Sequence, residues 1–168
     1  MQDVLLNCQI IGNWLGGSYA RLSGQIELDI IDDNGKVCIT TGPQQIDVNW
    51  RSSGKTTMFR QQGTTKAKLT DIYPVAFRVK MQYMTLDSGG SLPNANAVFS
   101  STMLFGVVHA AGNTSHRSIE PTSSTQKFEL NNGSLQTISL PFANGSVNMN
   151  AYSGIRQIVL ICNFNVVP

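Results

Sequence analysis

The stretch Val75-Ala76-Phe77-Arg78-Val79-Lys80-Met81-Gln82-Tyr83 alternates between two sets of positions along its whole length. A period of two puts successive side chains on opposite faces of an extended chain, whereas a helix repeats its apolar face every three or four residues. Val75, Phe77, Val79, Met81 and Tyr83 are therefore expected on a core face, with Arg78, Lys80 and Gln82 opposite. This is a strand with one buried side and one cationic side.

The same period recurs to either side. Val4, Leu6, Cys8 and Ile10 alternate with Leu5, Asn7 and Gln9 in a first strand that stops at Gly16-Gly17. Ile26, Leu28 and Ile30 alternate with Gln25, Glu27 and Asp29; Asp32-Asp33-Asn34-Gly35 then turns the chain, and Val37 and Ile39 begin the return. Asn-Gly accepts the positive dihedrals of a type I′ turn, so a hairpin is predicted there. Ile46, Val48 and Trp50 form the next set, in phase with one another, so Trp50 is assigned to the core. Residues 51–70 lose the pattern and read as a long loop or an irregular edge.

Beyond Tyr83, Asp87-Ser88-Gly89-Gly90-Ser91 is a turn, and residues 92–96 are a proline-containing connector. Residues 98–109 read as one strand with apolar side chains on both faces, placing it centrally or at a subunit contact. Residues 111–126 are a small-polar loop, and Phe128 and Leu130 make a short strand. Asn131-Asn132-Gly133-Ser134 turns that strand, and residues 135–140 return. Asn144-Gly145-Ser146 signals another turn. In the last strand Ile158, Leu160, Cys162, Phe164 and Val166 alternate with Val159, Ile161 and Asn163, so its first half is apolar on both faces. Eight or nine strands, no helical period and no fixed repeat predict one domain over 1–168. Its class is all-β, a two-sheet antiparallel sandwich of about eight strands, with the jelly roll as the commonest eight-stranded form.

Composition narrows the function. Only 13% of residues are charged, against about 25% in an average soluble domain. Asn, Gln, Ser and Thr supply about a third of the chain, and 41% is hydrophobic, enough for a real core and too much for a disordered chain. No apolar run approaches the roughly 20 residues of a membrane helix. Met1-Gln2-Asp3 leads with an acid and no basic stretch precedes Val4-Leu5-Leu6, so no signal peptide is expected and synthesis in the cytoplasm is. The net charge is +2, but five acids stand against one base between positions 27 and 47, and seven bases against one acid between 51 and 80. Cys8, Cys38 and Cys162 are odd in number, far apart and set in apolar runs, which fits buried reduced thiols rather than a disulfide framework or a zinc site.

Chemistry-bearing patterns are few. His109 and His116 are the only histidines, at a strand end and in a polar loop. Gly54-Lys55-Thr56 looks like the end of a phosphate loop, but the first glycine of that motif would fall at Asn49. Asp29, Asp32 and Asp33 lack the closing glutamate of an EF-hand, since Thr40 and Thr41 stand there. No enzyme activity, cofactor or metal is expected. Arg51, Lys55, Arg60, Lys66 and Lys68 in the loop, with Arg78 and Lys80 on the strand, form a basic set. It suits phosphates of a packaged nucleic acid or the acidic 27–47 segment of a neighbouring subunit. Trp14 and Tyr19 flank Gly16-Gly17 and are the candidate surface platforms for stacking a sugar or base.

The run Ile155-Arg156-Gln157-Ile158-Val159-Leu160-Ile161-Cys162-Asn163-Phe164-Asn165 resembles the closing strand of single-jelly-roll coat proteins of small satellite plant viruses, which are similar in length and strand count. The resemblance implies a non-enzymatic capsid subunit that self-assembles as a homo-oligomer in the virion. Such coat proteins usually begin with a basic RNA-binding arm; the first base here is Arg21, so RNA contact would fall to the 51–80 set. The alternative expectation is a trimeric receptor- or glycan-binding head of a viral or phage fibre, whose amide- and hydroxyl-rich loops suit hydroxyl recognition. A third, a small hydrolase, requires a carboxylate pair or histidine in a cleft.

Overall fold

A computed structural model of the chain describes residues 2–67, 73–87, 96–99, 104–109, 116–119, 126–143, 145–147 and 155–167. These form twelve strands: β1 (Gln2–Trp14), β2 (Ala20–Asp32), β3 (Val37–Thr40), β4 (Gln44–Trp50), β5 (Gly54–Ala67), β6 (Pro74–Asp87), β7 (Asn96–Phe99), β8 (Leu104–His109), β9 (His116–Ile119), β10 (Gln126–Glu129), β11 (Gln136–Pro141) and β12 (Ile155–Val167). Seven strands make one sheet, ordered β10-β7-β12-β1-β5, with β8 beside the first half of β12 and β9 beyond β8. Five make the other, ordered β11-β6-β2-β3, with β4 sharing the β3 edge of β2. The two sheets pack as a sandwich around one core.

That core is the product of the alternation. Leu6, Cys8, Ile10, Leu160, Cys162 and Phe164 from the seven-stranded sheet and Leu22, Ile26, Leu28, Phe77, Val79 and Met81 from the five-stranded sheet are all buried in a single cluster. Rings tie the layers together. Trp14 of β1 stacks on Trp50 of β4 at 6.3 Å, and Phe142, just after β11, contacts both Phe105 of β8 at 5.7 Å and Phe77 of β6 at 4.9 Å.

Among the described residues every strand pair is antiparallel except one. β1 and β12, the first and last strands, run parallel from Leu5 opposite Gln157 to Trp14 opposite Val166. The two-sheet antiparallel sandwich expected from the sequence thus contains one parallel pair. The chain enters and leaves through adjacent strands in the middle of the larger sheet.

Local differences have identifiable causes. Residues 51–70 are no loop over most of their length: β5 is a 14-residue edge strand on β1. Its alternation is obscured because a register shift between Ile10 and Ile11 leaves Met58 without an opposite number, and the Met58 side chain fills the space above Gly12. Tyr83 does not face the core. Gly24 of β2 stands opposite both Tyr83 and Met84, so β6 changes phase there; Met84 and Leu86 are buried while Tyr83 is 58% exposed with φ +57°. The hairpin at 32–35 forms, but Asn34 keeps a negative φ and only Gly35 turns positive (φ +77°), with Asp32 Oδ1 accepting from the Asn34 and Lys36 amides. This is a type I turn with a following bulge rather than type I′.

Of the predicted strand 98–109, residues 98–99 belong to β7 and residues 104–109 are β8; the two lie end to end along β12. β9 falls in the segment read as a polar loop. The 131–134 turn is real, but β10 and β11 on its two sides belong to different sheets, so the connection crosses the sandwich instead of closing a hairpin. The predicted turn at 87–91 and connector at 92–96 lie outside the described residues except at their ends.

Candidate functional site

The outer face of the five-stranded sheet is where polar chemistry gathers. The β2–β6 register places Glu27 opposite Lys80 and Asp29 opposite Arg78, on the sides of both strands that alternation turns away from the core. Asp29 is completely buried although it is on this outer face. Its Oδ1 accepts a short hydrogen bond from Thr40 Oγ1, and its Oδ2 accepts from Arg78 Nε at 3.0 Å and Nη2 at 2.8 Å. A carboxylate so enclosed persists only because a cation and hydrogen bonds replace its water. One row along, Lys80 Nζ lies 3.5 Å from Glu27 Oε2. Burial, followed by a hydrogen bond and charge repulsion from Asp29, raises the Glu27 pKa above its ordinary 4.5, with Lys80 opposing the rise. Asp29 thus meets Thr40, Arg78 and Glu27 at once, and it has no exposed surface.

A groove of about 180 Å³ lies on this face, lined by Gln25, Ile26, Glu27, Pro43, Lys80, Gln82 and Leu135. Gln25 and Gln82 are cross-strand partners, one row beyond Glu27 and Lys80 and adjacent to the Gly24–Tyr83 bulge. Neither side-chain amide has a hydrogen-bond partner among the described residues. Leu135, on the connection into β11, is 54% exposed and supplies an apolar wall. The sequence presents Gln25, Glu27 and Asp29 as one polar face and Arg78, Lys80 and Gln82 as another. Their union depends on β2 pairing with β6 across some fifty residues of chain, and Pro43 and Leu135 carry no local signal at all.

Of the seven cations close in sequence, those whose side chains are described are divided in space. Arg78 and Lys80 are on the five-stranded sheet, paired with Asp29 and Glu27 of the same chain. Arg51, in the turn before β5, and Lys55 and Arg60, on β5 at the edge of the other sheet, are exposed and have no ion pair among the described residues. Lys66 is near the end of β5, with its backbone opposite Asp3; its side chain, like the whole of Lys68, lies outside the described residues.

Trp14 is not a surface platform. It is 2% exposed, stacked on Trp50, with Nε1 donating to Ser18 O at 2.7 Å. A side chain on Gly16 would come within 2.1 Å of the Trp14 ring, so the loop backbone itself covers the indole. Tyr19 is 45% exposed and donates its hydroxyl to Asn49 Oδ1 at 2.8 Å, beside the exposed Arg21–Asp47 pair.

The outer face of the seven-stranded sheet differs in kind. Val98, Val159 and Ile161 are half-buried there and Leu5 is exposed, on the side of β7, β12 and β1 opposite the core. Among them lies an amide ladder in which Asn13 Nδ2 donates to Asn163 Oδ1 at 2.6 Å and Asn165 Oδ1 at 3.1 Å. Lys55, Arg60 and Lys127 border this face.

Among the described residues no group of three His, Cys, Asp or Glu could hold a metal, and no helix is long and apolar enough to cross a membrane. The backbones of His109 and His116 are on β8 and β9, but their side chains lie outside the described residues. Comparison with family models, curated proteins and solved structures finds no match for this chain.

Proposed function

We propose that this chain is a structural subunit of a virion that self-associates through the outer face of its seven-stranded sheet. One observation carries the reading: the central strand β12 turns Val159 and Ile161 outward, on the same face of the sheet as Val98 and Leu5, on a ground of neutral amides. Covering such a face removes apolar surface from water at about 25 cal/mol per Å². The amides exchange hydrogen bonds without the cost of desolvating charge. The resemblance of residues 155–165 to the closing strand of small viral coat proteins points the same way.

Light scattering coupled to size exclusion, followed by negative-stain microscopy, tests the proposal. A closed or extended assembly is expected, reduced to a folded 18.3 kDa monomer by Val159→Lys with Ile161→Lys. A wild-type protein that stays a monodisperse monomer at high concentration would refute it. Nucleic-acid contact, if the assembly packages any, rests among the described side chains on Arg51, Lys55 and Arg60, since Arg78 and Lys80 are already paired. Three such contacts to single-stranded RNA give a log–log salt slope of about −2. A slope near zero would remove that partner.

A further inference from the structure

We infer that the groove over β2 and β6 binds one ring of a neutral saccharide. This inference does not depend on the self-association proposed above: it uses the opposite sheet and holds for a monomer. Three features of the groove specify the ligand.

The first is its hydrogen-bonding inventory. Each glutamine amide carries two donors and an acceptor, which is what a hydroxyl group, itself donor and acceptor, can satisfy in full. Gln25 and Gln82 are directly opposite in the β2–β6 ladder, so their Cβ atoms are only about 5 Å apart. Their amides thus form one side-by-side set matched to neighbouring hydroxyls on a ring. Glu27 and Lys80 extend the row with an acceptor and a donor already 3.5 Å from each other.

The second is charge. Glu27 is compensated by Lys80 and Asp29 by Arg78, so the groove has no surplus cation for an anionic ligand. The Glu27 carboxylate would repel a carboxylate or phosphate brought into it. The third is shape. Leu135 and Pro43 furnish an aliphatic wall for the C–H face of a sugar ring. At about 180 Å³ the groove is smaller than the roughly 300–1,000 Å³ pockets that enclose drug-sized ligands, so it suits one residue of a glycan lying across an open face. Both strands that hold the polar groups are inside the sheet rather than at its edge, which keeps those groups in register without a ligand.

Saturation-transfer NMR with the methyl glycosides of glucose, galactose, mannose and N-acetylglucosamine, and with sialyllactose as the acidic comparison, tests the inference. At least one neutral glycoside is expected to receive transfer, with a dissociation constant in the millimolar range. Gln25→Ala combined with Gln82→Ala should weaken that binding at least ten-fold, while Tyr19→Phe and Arg60→Ala leave it unchanged. Leu135→Ala, outside both strands, is the second variant; it should weaken binding several-fold without disturbing the sheet. Absence of transfer from every neutral glycoside, binding that survives both sets of groove substitutions, or preference for sialyllactose would each overturn the inference.

Discussion

Asp29 is the residue whose environment is least evident from its neighbours in the chain. It occupies an outward position in an alternating strand, yet Thr40 and Arg78 close over it until no surface remains. Removing one partner of such a pair leaves the other uncompensated, at a cost of about 3–5 kcal/mol. Asp29→Ala should lower stability by that amount in urea titrations, and the exposed pair Arg21–Asp47 gives the contrast: Asp47→Ala should change it by about 1 kcal/mol or less. Glu27, two residues earlier, predicts a pH effect. Its pKa is raised in the folded protein by burial and by Asp29, so the native state holds that proton more tightly than the unfolded chain. The charged form is therefore destabilising at neutral pH, and stability is recovered as pH falls through the range just above 4.5. Wild type should gain on Glu27→Gln over that range; parallel stability curves for the two proteins would show that the proton is not linked to folding. Alternation made the outward placing of Glu27, Asp29, Arg78 and Lys80 legible. Which acid meets which base was not, because the partners are some fifty residues apart and only the register joins them.

Strand β6 shows how a legible pattern can carry a wrong side chain. The alternation of Val75 to Tyr83 defines the strand correctly, but it places Tyr83 in the core only if the pleat is continuous. A bulge opposite Gly24 advances the phase by one residue, so Met84 takes the buried position. Gly24 is required for this: its φ is +146°, and a Cβ there would lie 2.8 Å from the Met84 Cα and 2.9 Å from the Tyr83 carbonyl oxygen. Gly24→Ala should cost about 1–3 kcal/mol, measured as a lower denaturation midpoint, whereas Gly133→Ala, with open space around it, should be far milder. The edge strand β5 illustrates the converse. Its pattern is broken at Met58 by the register shift, and on an edge left unpaired among the described residues Lys55 and Arg60 are the charges with which exposed edges resist pairing with other chains. Lys55→Val with Arg60→Val should raise turbidity and thioflavin binding on incubation while leaving urea stability within about 0.5 kcal/mol. Unchanged aggregation would mean that these cations do not guard the edge.

The parallel pairing of β1 with β12 sets the form of the entire chain. Because both strands run the same way from Leu5/Gln157 to Trp14/Val166, Gln2 and Val167 are at opposite ends of the sandwich. At about 3.3 Å per residue their separation is roughly 40 Å. A circular permutant opened at the exposed 32–35 turn should fold when the old ends are joined by about 25 Gly/Ser residues and fail with four, as read by circular dichroism and solubility. Equal folding of both would contradict the parallel register. The period-two alternation, the scarcity of charge and the turn signals were enough to establish an all-β sandwich with a single core, since each depends only on neighbouring residues and the fixed geometry of an extended chain. Strand order, the crossing between β10 and β11, the burial of Trp14 beneath Gly16, the separation of the basic set onto two sheets and the assembly of the Gln25–Gln82 groove were settled by tertiary structure. Each depends on which distant strands share hydrogen bonds, and that choice minimises exposed apolar surface over the sandwich as a unit, a quantity no local stretch contains.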